Sequence, residues 1–226
     1  MVNKIPEVIK YNAYRNSNIG IYLNSNDDFV FVPPGFEKTK AKKISMHLRN
    51  NYIHTSIANT RLLGILMAVN NYGIILPKIS TLDEVEYLKK TTKMNIKILD
   101  SKYTAIGNII CINDSGGIIS PLVTKREVKQ IQDIMGVEII QMKVSDYHQV
   151  GAMIVANSYG GIIHPGAGEK DVKAISKILK VNLEHSTINN GVKFVSSGIL
   201  INNKSIIVGE LTSGSEIITI NRSFSR

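Results

Sequence analysis

Three features of this chain could do chemistry: a single cysteine, five histidines and one glycine-rich stretch that ends in lysine. Cys111 stands in GNIICIND, within an apolar run, and no charged residue follows it until Asp114. A nucleophilic cysteine acts as a thiolate and needs a cation or a helix terminus to hold that charge. The surroundings of Cys111 predict a small core residue instead. His47, His54, His148, His164 and His185 contain no close pair of the H-x-x-x-H kind, so no metal-type spacing is present. GIIHPGAGEK, residues 161–170, has the look of a phosphate loop. A Walker motif, however, puts Gly-Lys-Ser/Thr after its four spacer residues, and here Gly166 is followed by Ala167. Its glycines read better as a turn entering a helix. No cofactor or metal is expected.

The chain has 226 residues, and 43% of them are apolar, enough for a packed core. It has no tryptophan and five phenylalanines, so Ile, Val, Leu, Ala and Met must build that core. Lys and Arg outnumber Asp and Glu by 27 to 18, an excess that favours polyanionic partners. One cysteine fits a reducing cytoplasm. MVNKIPEVIK lacks the apolar segment of a signal peptide. The longest uncharged apolar stretch, 62–77, is broken by Asn70, Asn71 and Gly73, which suits a hairpin rather than a membrane span.

That stretch is also repeated. GILMAVNNYGIILP returns as GNIICINDSGGIISP and as GAMIVANSYGGIIHP. Pro33, Pro77, Pro121 and Pro165 lie 44 residues apart, and the next step lands on Gly209. Gly20, Gly64, Gly107 and Gly151 keep the same beat, with Ser196 as fifth member. Asn24, Asn70, Asn113, Asn157 and Asn202 follow as turn residues, assigned mainly to hairpin geometry. Each copy opens with a hairpin. A helix follows, announced by Thr81 to Glu84, Thr124 to Glu127 and Ser213 to Glu216 as capping boxes. Leu82, Val85 and Leu88 are predicted to face inward in the second copy, as are Val128, Ile131 and Ile134 or Met135 in the third, and Val172, Ile175 and Leu179 in the fourth. A short strand then closes each unit, near Ile53, Ile96 and Ile140. The fifth copy lacks that strand, whereas Val8 and Ile9 precede Gly20 as Ile139 and Ile140 precede Gly151. The N-terminal strand is therefore expected to complete the fifth unit and close a ring. The expectation is one domain over 1–226, made of five ββαβ blades.

Five such units, closed by the first strand, resemble the pentein fold, the α/β propeller. Within it the chain is similar to the translation initiation factor 6 family, of archaeal type. HTSIANTRLLG, VNNYGIILP, TAIGN, ISPLV, QVG, GGIIHP and GELTSGSE carry the likeness, which runs nearly end to end. The sequence departs from the family at Ser196 and in a longer lead, residues 1–7. Penteins also include guanidine-modifying enzymes, and for that rival activity Cys111 is the only available nucleophile. His164 stands where other copies carry Val32, Leu76, Ser120 and Val208, so a partly exposed structural histidine is expected there.

The helices carry much of the positive charge, which reads as a solvated outer face. Pseudo-symmetry gathers the loops before each opening glycine (RNSNIG, NTRLLG, KYTAIG, YHQVG) at one end of the ring. There Arg61 offers a planar fork for phosphate or carboxylate. Asn108 stands where other copies carry Ile21, Ile65 and Ala152. The resemblance implies that Arg61, Ile65, Asn108 and Met153 lie on a face applied to the large ribosomal subunit. It further implies contact with a ribosomal protein near the sarcin–ricin loop of the large rRNA. The factor would be a non-enzymatic cytoplasmic monomer that keeps the subunits apart sterically and that has a role in large-subunit biogenesis.

Overall fold

The computed structural model describes residues 7–225, so residues 1–6 of the longer lead lie outside the described residues. Five three-stranded sheets are present, and each is built the same way. In blade two, Ala68–Val69 pairs antiparallel with Gly73–Pro77, which pairs parallel with Asn95–Leu99. The helix Leu82–Thr92 connects the last two strands. Blades one, three and four repeat the scheme with helices Lys38–Leu48, Lys125–Met135 and Glu169–Leu179. In blade five the third strand comes from the other end of the chain. Val8–Tyr11 runs parallel to Ile206–Gly209, with Val8 opposite Ile206 and Tyr11 opposite Gly209. The ring is closed as the repeat spacing predicts, and the architecture is a pseudo-fivefold α/β propeller.

Closure explains where the apolar residues go. Five buried clusters exist, and each lies between neighbouring blades. Phe31 and Ile53 of blade one pack against Leu63, Met67 and Leu88 of blade two. Cys111 and Ile118 of blade three pack against Met153, Ile163 and Ile175 of blade four. Leu200 and Ile207 of blade five meet Val30 and Ile44 of blade one, which joins the last blade to the first. Every sheet is thus covered on both faces, and the continuous Ile/Val runs of the central strands follow from that.

The helices start where the sequence places them. Thr81, Thr124 and Ser213 accept from the backbone N–H three residues on, and Glu84, Glu127 and Glu216 reach back in reciprocal capping boxes. Inward faces match at Val85, Leu88, Ile131, Met135, Ile175 and Leu179. Leu82 is a correction, being 73% exposed. It belongs to the first turn, whose inner side is taken by the Glu84 carboxylate.

Two further differences concern the start of each unit. A single helical turn precedes the hairpin: Ile19–Tyr22, Leu63–Leu66, Ile106–Ile109 and Val150–Met153, with a 3-10 turn at Val195–Gly198. These turns bring the opening glycines against one another around the axis. A Cβ on Gly64 would lie 1.7 Å from the Gly20 carbonyl oxygen, and one on Gly107 or Gly151 would lie 2.1 Å from that of the preceding glycine. No side chain fits there, and this accounts for the glycine beat.

The turn asparagine of blade one is Asn26, not Asn24. It stands six residues after Gly20, the spacing that Asn70, Asn113, Asn157 and Asn202 keep from their own opening residues. All five are buried. Each side-chain carbonyl accepts backbone N–H groups of its own hairpin, as Asn113 does from Ser115 and Gly116. Each side-chain amide donates to the next asparagine's backbone carbonyl: Asn26 to Asn70, Asn70 to Asn113, Asn113 to Asn157, Asn157 to Asn202 and Asn202 to Asn26. Hairpin geometry is therefore only half of their role. The other half is a closed belt that stitches the five blades together.

Candidate docking face

Four of the five loops that lead to an opening position begin as a tight bridge, the loop of blade three being the exception among the described residues. In blade two Ile57 and Thr60 pair across Ala58 and Asn59, which have φ of 53° and 56°. Left-handed backbone costs a non-glycine residue roughly 1–2 kcal/mol, so something must hold the loop. The Glu84 carboxylate does so. It accepts from the Ala58 N–H at 2.8 Å, the Asn59 N–H at 2.9 Å and the Ser56 hydroxyl at 2.6 Å, and from its own N-cap N–H at 3.0 Å. Burial pushes this carboxyl up, but the hydrogen bonds from Ser56, Asn59, Thr81 and Ala58 outweigh it and hold the group below the usual carboxylate range. Glu216 clamps the loop of blade five in the same way, through Thr187, Asn190 and Gly191.

The clamped loop presents Arg61 at the surface. Its guanidinium carbon lies 5.1 Å from the centre of the Tyr14 ring, a cation–π arrangement, and the side chain is otherwise exposed. Inside the rim is a depression of about 420 Å³ where the loops converge. Ile21, Ile65, Asn108, Ala152 and Ser197, the five residues that follow the opening positions, all line it. Tyr147, Gln149 and Phe194 form its wall between blades four and five. Tyr147 and Phe194 meet edge to face at 5.9 Å and are 43% and 41% exposed. The Asn108 side chain has no hydrogen-bond partner among the described residues, so both ends of its amide are available in a mostly apolar mouth.

The structure thus brings Ile65 and Asn108 together in one depression, whereas Arg61 is not on its lining and stands against the Tyr14 ring. Met153 is a correction. It is fully buried with Cys111 and Ile163, because the helical turn there points it down between blades, and Ala152 is the residue that reaches the mouth. Sequence reasoning does not single out Tyr147 and Phe194; an aromatic just ahead of an opening residue is the signal it offers for them. His164 is also more buried than expected, at 6% exposure. Its Nδ1 accepts from the Gly166 N–H at 2.9 Å, and its ring supports Tyr147 and Phe194 at 5.7 and 6.3 Å. Burial lowers its pKa, aided by Lys193 and His185.

Cys111 opens onto a narrow axial channel of about 150 Å³. Burial pushes its thiol up to about 12, so it is protonated at neutral pH. No group of three or more His, Cys, Asp or Glu among the described residues is placed to hold a metal ion. No helix among them is long and apolar enough to cross a membrane.

Compared with known families, residues 8–223 match the eIF-6 family. The chain belongs to the eIF-6 family. It is 54% identical over 218 residues to translation initiation factor 6 of Nitrosopumilus maritimus, covering 96% of this chain and 99% of that one. To translation initiation factor 6 of Cenarchaeum symbiosum it is 52% identical over 221 residues, covering 97% and 99%. Among solved structures it is similar to a dimethylarginine dimethylaminohydrolase variant in adduct with S-methyl-L-thiocitrulline. The TM-score is 0.51 at 10% identity, covering 80% of this chain and 71% of that one. That likeness shows the pentein fold alone. Membership of the eIF-6 family makes the chain a member of a family of translation initiation factors whose relatives here are archaeal.

Proposed function

We propose that the chain binds the large ribosomal subunit through the mouth of the ring and thereby keeps the small subunit from joining. The observation that carries this reading is the mouth itself. Five pseudo-equivalent positions converge there on a mostly apolar depression with the unspent Asn108 amide inside it, and the loop that leads to Gly64 presents the exposed Arg61 guanidinium against Tyr14. Such a mixture suits a protein surface: apolar anchors supply burial, and an amide and a guanidinium fix register. The partner is a ribosomal protein on the intersubunit face, near the sarcin–ricin loop. The ring acts as one rigid cytoplasmic domain, monomeric, and occupies ground that the small subunit needs. No catalytic step is required, and the protonated Cys111 offers none of the thiolate that a guanidine-modifying mechanism needs. A role in large-subunit maturation follows from the same contact.

Co-sedimentation with purified subunits tests this. The chain should pellet with the large subunit and not with the small one. Pelleting with the small subunit alone rejects the proposal. Binding that survives Arg61→Glu and Asn108→Asp, and merely fades with salt, would reduce it to nonspecific attraction between a +9 protein and rRNA.

A further inference from the structure

Four blades place an acid at the third position of the long helix: Glu84, Glu127, Asp171 and Glu216. In blades two and five that carboxylate receives two consecutive N–H groups of the left-handed loop. Ala58 and Asn59 donate to Glu84, and Asn190 and Gly191 donate to Glu216 at 3.0 Å each. In blade four Ser145 donates to Asp171 at 3.3 Å. Blade one has the same loop. Ala13 and Asn16 bridge as Ile57 and Thr60 do, and Tyr14 and Arg15 have φ of 54° and 61°. Its third helix position, however, is Lys40, whose ammonium lies 3.2 Å from Glu37. The N–H groups of Tyr14 and Arg15 have no acceptor among the described residues. Between them and Lys40 lies a cavity of about 430 Å³. Ser56, Ala58, Asn59 and Thr81 surround the Glu84 carboxylate in blade two. Their counterparts by position, Asn12, Tyr14, Arg15 and Glu37, all line this cavity.

We infer that this cavity receives a carboxylate from an acidic side chain of a protein partner, which does in trans what Glu84 does within blade two. A carboxylate is favoured over other anions because the same fork of two N–H groups holds one twice elsewhere in the chain. Charge agrees: Arg15 and Lys40 oppose the single carboxylate of Glu37 on the lining, and the Arg61 guanidinium lies against Gly35 at the edge. Glu210 is the other nearby acid, and it accepts from the side-chain amide of Asn12. The inference goes beyond the ribosomal reading and does not need it, because the probe is a small anion.

The test is a titration of the ¹⁵N-labelled chain with sodium acetate, against sodium chloride at equal ionic strength. The amide resonances of Tyr14 and Arg15 should shift saturably with acetate and not with chloride. Lys40→Gln should weaken that binding by about fivefold, the loss of one partly exposed charged contact of about 1 kcal/mol. Lys40→Glu should fill the cavity from within: both amides shift before any acetate is added, exchange more slowly and no longer respond. If Lys40→Glu fails to fold, Lys40→Gln decides the matter. An acetate response no larger than that to chloride, or unchanged in both variants, overturns the inference. Saturable shifts with inorganic phosphate but not acetate overturn the carboxylate assignment in favour of a phosphate-bearing ligand. A short acidic peptide that binds no more tightly than acetate overturns the protein source.

Discussion

Replacing Glu84 by alanine removes a side chain that is 8% exposed and accepts four hydrogen bonds. The lost capping box costs about 1 kcal/mol. The N–H groups of Ala58 and Asn59 lose their acceptor inside a strained loop, at about 1 kcal/mol each. The total is about 3 kcal/mol, with some relief if the loop relaxes and its N–H groups reach water. For a chain of this size each kcal/mol moves the melting temperature by about 2–4 °C, so a drop of about 6–12 °C is expected. Glu84→Gln keeps one acceptor oxygen and should cost about half as much. The sign with pH follows from the depressed carboxyl. Glu84 titrates below its ordinary 4.5 in the folded chain, so its contribution is complete above about that pH and is lost as pH falls through the lower folded value. The gap between wild type and Glu84→Gln should therefore be full at pH 7 and should close on acidification. Thermal melts across pH, with hydrogen exchange at Ala58 and Asn59, measure this. A drop under about 2 °C for Glu84→Ala, unchanged amide protection, or a gap that stays constant into acid would refute the clamp.

Other positions carry their own expectations. Gly107→Ala puts a Cβ 2.1 Å from the Gly64 carbonyl oxygen, so the axial packing must open, and chemical denaturation should show a loss of at least about 3 kcal/mol. Asn113 donates to Asn157 and Leu179 and accepts from Ser115 and Gly116, so Asn113→Ala interrupts the belt. A loss of about 3 kcal/mol is expected in the same assay, without any change at the mouth in an NMR spectrum. Cys111 should resist iodoacetamide at pH 8 in the folded chain and react once unfolded, given a thiol pushed up to about 12. Cys111→Ser should leave subunit binding intact.

Much of this architecture is legible in the sequence because it is repeated. The prolines spaced by 44, the three capping boxes and the distance from Val8 to Gly20 prescribe blades, helices and ring closure. What stayed hidden belongs to contacts between copies, which a period cannot report. The repeat marks Gly64 but not that it faces the Gly20 carbonyl. It marks Asn70 as a turn residue but not that its amide reaches the next blade. Glu84 reads as a capping residue, yet its second task, holding the Arg61 loop, needs the fold. At the mouth, Ile65 and Asn108 were legible as the positions after a glycine. Met153 was not, because one further residue along a helical turn changes an outward side chain into a core one. Lys40 shows the opposite case. Its break of the acidic pattern is plain in the sequence and gains meaning only beside the backbone of Tyr14 and Arg15.

Joining of the subunits is the step that the ring should block. Purified large and small subunits are mixed in the presence of the chain, and formation of joined ribosomes is followed by light scattering. A stoichiometric amount of the chain, preincubated with large subunits, should suppress joining. Arg61→Glu and Asn108→Asp, folded by their melting curves, should each need at least about tenfold more protein for the same effect, the equivalent of about 1.4 kcal/mol. Unimpeded joining at saturating wild-type protein would refute steric blocking, and equal suppression by the Arg61→Glu/Asn108→Asp double variant would refute docking through the mouth.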